Sequence, residues 1–318
     1  AVVKVVLGIL NKYLKSPIVY IIGLFFMTQI GAAQVNTTLF NRVDSLSKSR
    51  FVGMMGAALS GTCATIGLLS NEWYSEYDKV SFHFFNDNNE WLQMDKFGHG
   101  LTAFYGGVYG YNALKWTGLN ERTSIWLGGT YGFSFLLATE IMDGFSSGWG
   151  ASKGDLIANG LGTSLFLGQQ LYYGRQIITP KFSFWPSKFS KFRPELLGDN
   201  NWNRWLKDYN GQVYWLSFSL SDFGVNKKFF PKWLSLSFGY GGNGMLGGEF
   251  NPLINEKGNV LPDFKREREV FLSFDLNFQS LRTKSPLINT LIKGISFFKI
   301  PFPTLKFSSS SSKILLFH

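Results

Sequence analysis

Cysteine is almost missing from this chain of 318 residues: Cys63 stands alone, which excludes an internal disulfide framework and any zinc site built from several thiolates. It lies too deep in the sequence to be the lipid-modified residue that follows a signal peptide, and it reads as a small packed hydrophobe. Charge is scarce as well. Only 16% of residues are Asp, Glu, Lys or Arg, against about 25% in soluble domains. The net charge of +10 is spread among Phe and Trp in the second half, without a basic helix or an aromatic RNA-binding signature. Nucleic acid is therefore not an expected partner, whereas an anionic membrane surface or lipid head group is.

What is abundant is apolar: 45% of residues are hydrophobic and 17% aromatic. Residues 1–34 open with Lys4, Lys12 and Lys15, continue in an apolar run over 18–30 and end in Gly31-Ala32-Ala33-Gln34. This is the order of a signal peptide cut after Ala33; an uncleaved anchor is the alternative, although the run is short for a bilayer core of about 30 Å. Either way the chain is expected to be exported to the cell envelope, to the outer membrane or periplasm of a Gram-negative bacterium.

Residues 51–70 contain no charge and are long enough to cross a membrane. Further helices are predicted over 94–116, 123–142 and 155–173. All are studded with small residues, among them Gly106, Gly110, Gly128, Gly132, Gly160, Ser164 and Gly168. Several recur at the spacing of four that lets helix backbones approach in lipid. The expected product is a small-residue-rich four-helix bundle over 34–179, in the membrane or as a soluble periplasmic bundle with its apolar faces turned inward.

Residues 180–211 change to Lys, Phe, Trp and Pro without a steady period and read as a connector. Strict alternation follows in a β-rich region over 212–306. Tyr214, Leu216, Phe218 and Leu220 oppose Trp215, Ser217 and Ser219; Leu234, Leu236, Phe238 and Tyr240 repeat the pattern; Val270, Leu272, Phe274, Leu276 and Phe278 oppose Ser273, Asp275 and Asn277. Three or four strands are too few for an outer-membrane barrel, so a small antiparallel sheet is expected, packed on the helices or laid against the membrane. Residues 285–298 are amphipathic, and 307–318, with the run Ser308 to Ser312, read as a disordered tail. The fold class is thus α+β and membrane-associated.

The carboxylates of the apolar half gather in two stretches. On a helix from Met94, Asp95 and His99 are four apart and share a face, with Lys96 on a neighbouring line. Glu140 and Asp143 lie three apart, followed by a loop containing Ser146, Ser147, Ser152 and Lys153; Asp155 then opens a helix with Asn159 one turn on. Asp95, Ser152 or Asp155 can be read as helix caps. Capping does not account for Glu140 inside an apolar helix or for His99, whose burial unpaired costs several kcal/mol.

Three readings follow. Asp95, His99, Glu140 and Asp155 form an oxygen-rich metal set with one imidazole. Lys96, Lys153, Ser147 and the loop before a helix start hold a phosphate, with Asp143, Asp155 and Asn159 lining the ligand and His99, Glu140 and Asp95 as acid–base machinery. Or the groups form a polar network that only fixes helix register. No cofactor is specified by the sequence. The expected partners are membrane lipids and an envelope protein.

Asp95-Lys96-Phe97-Gly98-His99, Glu140-Ile141-Met142-Asp143-Gly144-Phe145 and the stretch from Trp149 to Gly162 resemble the YfiM-like family of periplasmic lipoproteins of unknown function. More distantly they resemble VanZ-like membrane proteins, whose Asp-Lys-x-x-His helix, later Glu and closing Asp-x-x-x-Asn-x-x-Gly correspond here to Asp95 to His99, Glu140, and Asp155, Asn159 and Gly162. The resemblance covers about residues 90–170 and implies an envelope-associated helical unit, with a link to glycopeptide resistance or envelope lipids, but no particular reaction. The chain departs from the first family in lacking a lipid-accepting Cys, and from the second in its export signal and β-rich half.

Overall fold

The computed structural model describes residues 40–70, 74, 77–224, 230–255 and 257–316; the expected signal peptide lies outside them. Four longer helices come first. Helix α1 is Lys48–Leu69, capped by Ser47. After a two-residue strand β1, Phe84–Phe85, helix α2 runs Met94–Trp116. A turn of π-helix, Ser124–Gly128, leads to α3, Tyr131–Gly144. Strand β2, Ala151–Ser152, pairs in parallel with β1 and leads into α4, Lys153–Tyr173.

Helices α2, α3 and α4 form one packed unit. Phe104, Tyr105, Val108 and Tyr111 of α2 meet Ile125 and Phe166 in its core. The backbones touch because side chains are absent where they cross: a Cβ on Gly106 or Gly110 would collide with Gly132 or Gly128, and one on Gly162 with the backbone of Gly100. Small residues thus bring helices together, though on α4 through Gly162. Gly160, Ser164 and Gly168, expected to share this role, lie on the outer side, with open space beside both glycines. Helix α1 stands apart. It is tied at its start by the Ser47 amide to the Thr117 carbonyl at 2.8 Å and in its middle by Thr62 to Tyr131 at 2.8 Å, while Val52 and Leu59 stay exposed.

The second half is a six-stranded antiparallel sheet in sequential order: β3 Ile178–Phe184, β4 Gln212–Phe218, β5 Leu234–Asn243, β6 Glu267–Leu276, β7 Thr304–Ser308 and β8 Ser312–Leu315. The protein is therefore a mixed helix-and-sheet structure. Two expectations are corrected. The connector contains β3, whose alternation is masked in sequence because its inward residue is Lys181, before the short helices Pro194–Leu197 and Asn201–Lys207. The serine-rich tail contains β8, because the serines turn the chain after β7 and the Ser308 amide bonds the Ser311 carbonyl at 2.9 Å. The amphipathic stretch forms α5, Pro286–Gly294, which reaches α2 through Tyr109 and the Gly294 carbonyl at 3.0 Å.

The sheet curls on itself. The chain just before β7 bonds the free edge of β3, with the Phe182 amide on the Phe297 carbonyl at 2.7 Å and the Lys299 amide on the Phe182 carbonyl at 2.8 Å, while β7 pairs with β6. Inside the curl lie Trp215, Phe271 and a row of serines; α2 covers only the β3–β5 end of the outer face, where Phe97 stacks on Tyr240.

A candidate cation site between three helices

The approach to α2 is a left-handed turn made without glycine: Trp91, Leu92 and Gln93 have φ of 47°, 52° and 64°. Such a conformation costs an L-residue roughly 1–2 kcal/mol, so it persists only where surroundings enforce it. Here the sheet does so. The Trp91 amide donates to the Gly248 carbonyl at 2.8 Å, the Tyr240 hydroxyl to the Leu92 carbonyl at 2.6 Å, and Arg268 to the Gln93 side chain at 2.9 Å. The turn swings the chain so that the first two turns of α2 project Asp95, Lys96 and His99 towards α3 and α4.

Lys96 is the hub. Its Nζ lies 2.5 Å from Asp87, 3.0 Å from Asp155 Oδ2, 2.9 Å from Asp155 Oδ1 and 3.6 Å from Asp95. Ser152 caps α4 through the Asp155 amide at 3.1 Å, donates its hydroxyl to Asp87 at 2.6 Å, and gives its own amide to Glu140 at 2.8 Å. The parallel β1–β2 pair makes this possible, because it sets the residues after Phe85 beside the start of α4. Neither Asp95 nor Asp155 is a cap: α2 has no side-chain cap at all.

His99 stands in the middle. Its Nδ1 is 3.1 Å from Asn159 Oδ1 and 3.8 Å from Glu140, and its Nε2 is 3.9 Å from Asp95. Asp95 also accepts from the Tyr209 hydroxyl at 3.0 Å, and Asp143 from Tyr74 at 2.5 Å. Glu140 and Asp155 are each only 3% exposed and Asn159 is fully enclosed.

Five carboxyls, Asp87, Asp95, Glu140, Asp143 and Asp155, thus face one lysine and one imidazole. The electrostatics record this surplus. Burial, reinforced by Asp95, raises the Asp155 pKa to about 7, and burial raises that of Asp143 to about 6. Burial also raises Glu140, against the opposing pull of the Ser152 amide and His99. For His99 burial acts downwards, but Asp95, Asp155 and Glu140 outweigh it and hold the imidazole above its usual value. Burial is the first cause of the raised carboxyl values and neighbouring carboxylates add to it; Asp87 is the exception, held below its ordinary value against burial by Lys96 and Ser152.

One ligand atom each from Asp95, His99 and Asp155 lie within 4.8 Å of one another. Two carboxylates and an imidazole are a donor set for a first-row divalent cation such as zinc or manganese. Among the described residues, the Asn159 amide nitrogen, buried beside His99, and the Thr163 hydroxyl one turn further along α4 have no hydrogen-bond partner; the amide is a donor and calls for an acceptor, not for a cation.

Of the residues singled out from sequence, Asp95, Lys96, His99, Glu140, Asp155 and Asn159 converge, with Asp143 beside them. Ser147 and Lys153 do not join them. Ser147 is exposed and bonds the Asp78 carbonyl through its amide; the Lys153 ammonium sits 5.1 Å over the Phe84 ring. Sequence reading missed Asp87, Tyr74 and Tyr209. Asp87 could have been noticed in the polar run Asn86-Asp87-Asn88-Asn89-Glu90 directly before α2, whereas Tyr209 comes from 114 residues beyond Asp95 and carries no local signal. Comparison with protein-family models, with curated proteins and with solved structures finds no match for this chain.

Proposed function

We propose that the protein is a membrane-associated component of the cell envelope whose helical unit binds a divalent cation through Asp95, His99 and Asp155, with Glu140 as a further oxygen donor. The observation that carries this reading is the surplus of carboxyls around a half-buried imidazole, which a bound cation would relieve. A pocket holding phosphate through bare lysines is less well supported, because Lys96 lies among the carboxylates of Asp87, Asp95 and Asp155, which repel an anion, and Lys153 sits over the Phe84 ring. Membrane association is supported by α1, long and apolar enough to cross a bilayer and almost entirely unburied, which we read as a fourth helix completing the bundle in lipid. The positions of the YfiM-like and VanZ-like resemblance, Asp95, His99, Glu140, Asp155 and Asn159, are the same ones that converge.

The test is metal analysis of the full chain purified in detergent, with calorimetric titration of zinc and manganese. One equivalent is expected, and Asp155→Asn or His99→Gln, each removing a ligand, should weaken binding by more than the roughly 10- to 100-fold that loss of an outer partner costs. A chain that neither retains nor takes up either metal would sink the proposal. A second reading, an enzyme acting on an envelope lipid or glycan, is favoured by the orientation of His99: Asn159 fixes its Nδ1 while Nε2 faces Asp95, the arrangement of a positioned acid or base.

A further inference from the structure

Apart from a small buried cluster of Val213, Trp215 and Phe271, the sheet is polar inside and apolar outside. Across the strands, Leu216 pairs with Phe238, Phe238 with Leu272, Leu272 with Leu305 and Leu305 with Ile314, so one apolar row crosses five strands on one face. A flanking row, Phe218, Leu236 and Phe274, extends it. Of these, Leu216, Phe238, Phe274, Leu305 and Ile314 are all exposed. Residues one step along each strand fall on the other face. They form the row Thr179, Ser217, Ser237, Ser273 and Thr304, beside Lys181, Asp275 and Lys299, and from Ser217 onward every one of them is buried.

A sheet folded for water hides its leucines and phenylalanines and wets its serines. This one does the reverse, as strands facing lipid do. The charges agree with that orientation. On β6 the outward side chains after Arg268 are Val270, Leu272, Phe274 and Leu276, and basic residues return only at Arg282 and Lys284. Both β5 and β6 have 10 residues, the length of strands that reach through hydrocarbon. The usual obstacle is the unbonded edge of a sheet in lipid; here the β3 edge is bonded by the chain before β7, and the far edge is the four-residue β8 with Lys313. Helix α5 also turns Ile288 and Leu291 outward.

We propose that the outer face of β4 to β8 lies against the hydrocarbon of a bilayer, so that the sheet anchors the protein beside α1. This rests on the membrane reading above and extends it to a surface. The experiment uses the full chain with Cys63→Ser, carrying in turn Phe238→Cys, Phe274→Cys, Leu305→Cys, Val52→Cys in α1 and Val260→Cys in an exposed loop. Each is labelled with a nitroxide in vesicles of phosphatidylethanolamine and phosphatidylglycerol, and its accessibility to oxygen and to a water-soluble nickel chelate is measured. The three sheet positions and Val52 are expected to show a several-fold higher oxygen-to-nickel ratio than Val260. If Val52 keeps that ratio but the sheet positions react with nickel, the sheet proposal fails and the membrane reading stands. Nickel reaching every position overturns both. Sheet positions shielded from both reagents also overturn the proposal, and assign the face to a protein partner or a second copy.

Discussion

Two polar networks are buried in this molecule, one inside the curled sheet and one between the helices, and they are balanced differently. In the sheet, Lys181 is 2.6 Å from Asp275, donates to the Leu276 carbonyl at 2.6 Å and lies over the Phe278 ring. Asp275 accepts in addition from Ser217 at 2.9 Å, the Leu276 amide at 2.7 Å and the Ile300 amide at 3.2 Å. Lys299 donates to Ser273 and to the Phe274 and Ile300 carbonyls. Hydrogen bonds there are closed among protein groups, although two buried ammonium groups share one carboxylate. Between the helices, among the described residues, the carboxyls outnumber the cations and Asn159 and Thr163 keep polar atoms without a partner. A network that satisfies itself is explained by folding; one that is acid-heavy and incomplete is explained by something it binds.

The contrast breaks most visibly if one charge is removed from each network. Asp275→Asn leaves Lys181 uncompensated in a fully buried place, where loss of one partner costs about 3–5 kcal/mol. Denaturant unfolding in detergent should show that loss, and the double variant Lys181→Met with Asp275→Leu should recover most of it. Asp155→Asn is expected to do the opposite in metal-free protein: one acid fewer among five raises the midpoint or leaves it unchanged. If Asp155→Asn unfolds the chain while Asp275→Asn is tolerated, the helix site is the structural network and the sheet the exceptional one.

The helix site was legible in sequence because its residues sit at helical spacing: Asp95 with His99, Glu140 with Asp143, Asp155 with Asn159 each make a face before any tertiary structure is known. The partners that complete it, Asp87 and Tyr209, arrive through β1–β2 pairing and the sheet connection, which no local period encodes. The sheet shows the converse. Alternation over 214–220, 234–240 and 270–278 revealed strands, two residues too long at β4 and β6, but not which face is inside, since period two is the same for a water-facing and a lipid-facing sheet. Strands β3 and β8 were hidden because Lys181 and the serines read as loop chemistry, although burial and turning account for them.

A smaller effect, in pH, sharpens the same comparison. Asp155 at about 7 and Asp143 at about 6 have folded pKa values above the ordinary carboxyl range. An acid with a raised folded pKa adds stability below its unfolded value, and loses that advantage as pH rises through the folded value. Metal-free protein should therefore melt lower at pH 8 than at pH 5, by an amount on the order of 2 kcal/mol, with the loss falling between about pH 4 and 7. Saturating zinc or manganese should flatten the dependence. A metal-free profile that rises over the same window would mean that the surplus is neutralised within the protein.

The smallest effect expected is at Ser147 and Lys153, the two expected ligand residues that lie outside the cluster. Lys153 contributes through the Phe84 ring, an interaction of about 0.5–1 kcal/mol at an exposed site, and Ser147 through its backbone amide. Lys153→Gln should thus lower stability slightly, Ser147→Ala not at all, and neither should alter cation affinity in the titration that defines the site. Their value lies in what they separate. A phosphate-bearing ligand closing the 144–154 loop over His99 needs a free ammonium and hydroxyl from that loop, whereas a cation held by Asp95, His99 and Asp155 needs neither. A tenfold loss of affinity from either variant would place the loop in the binding site and return the ligand to the phosphate class.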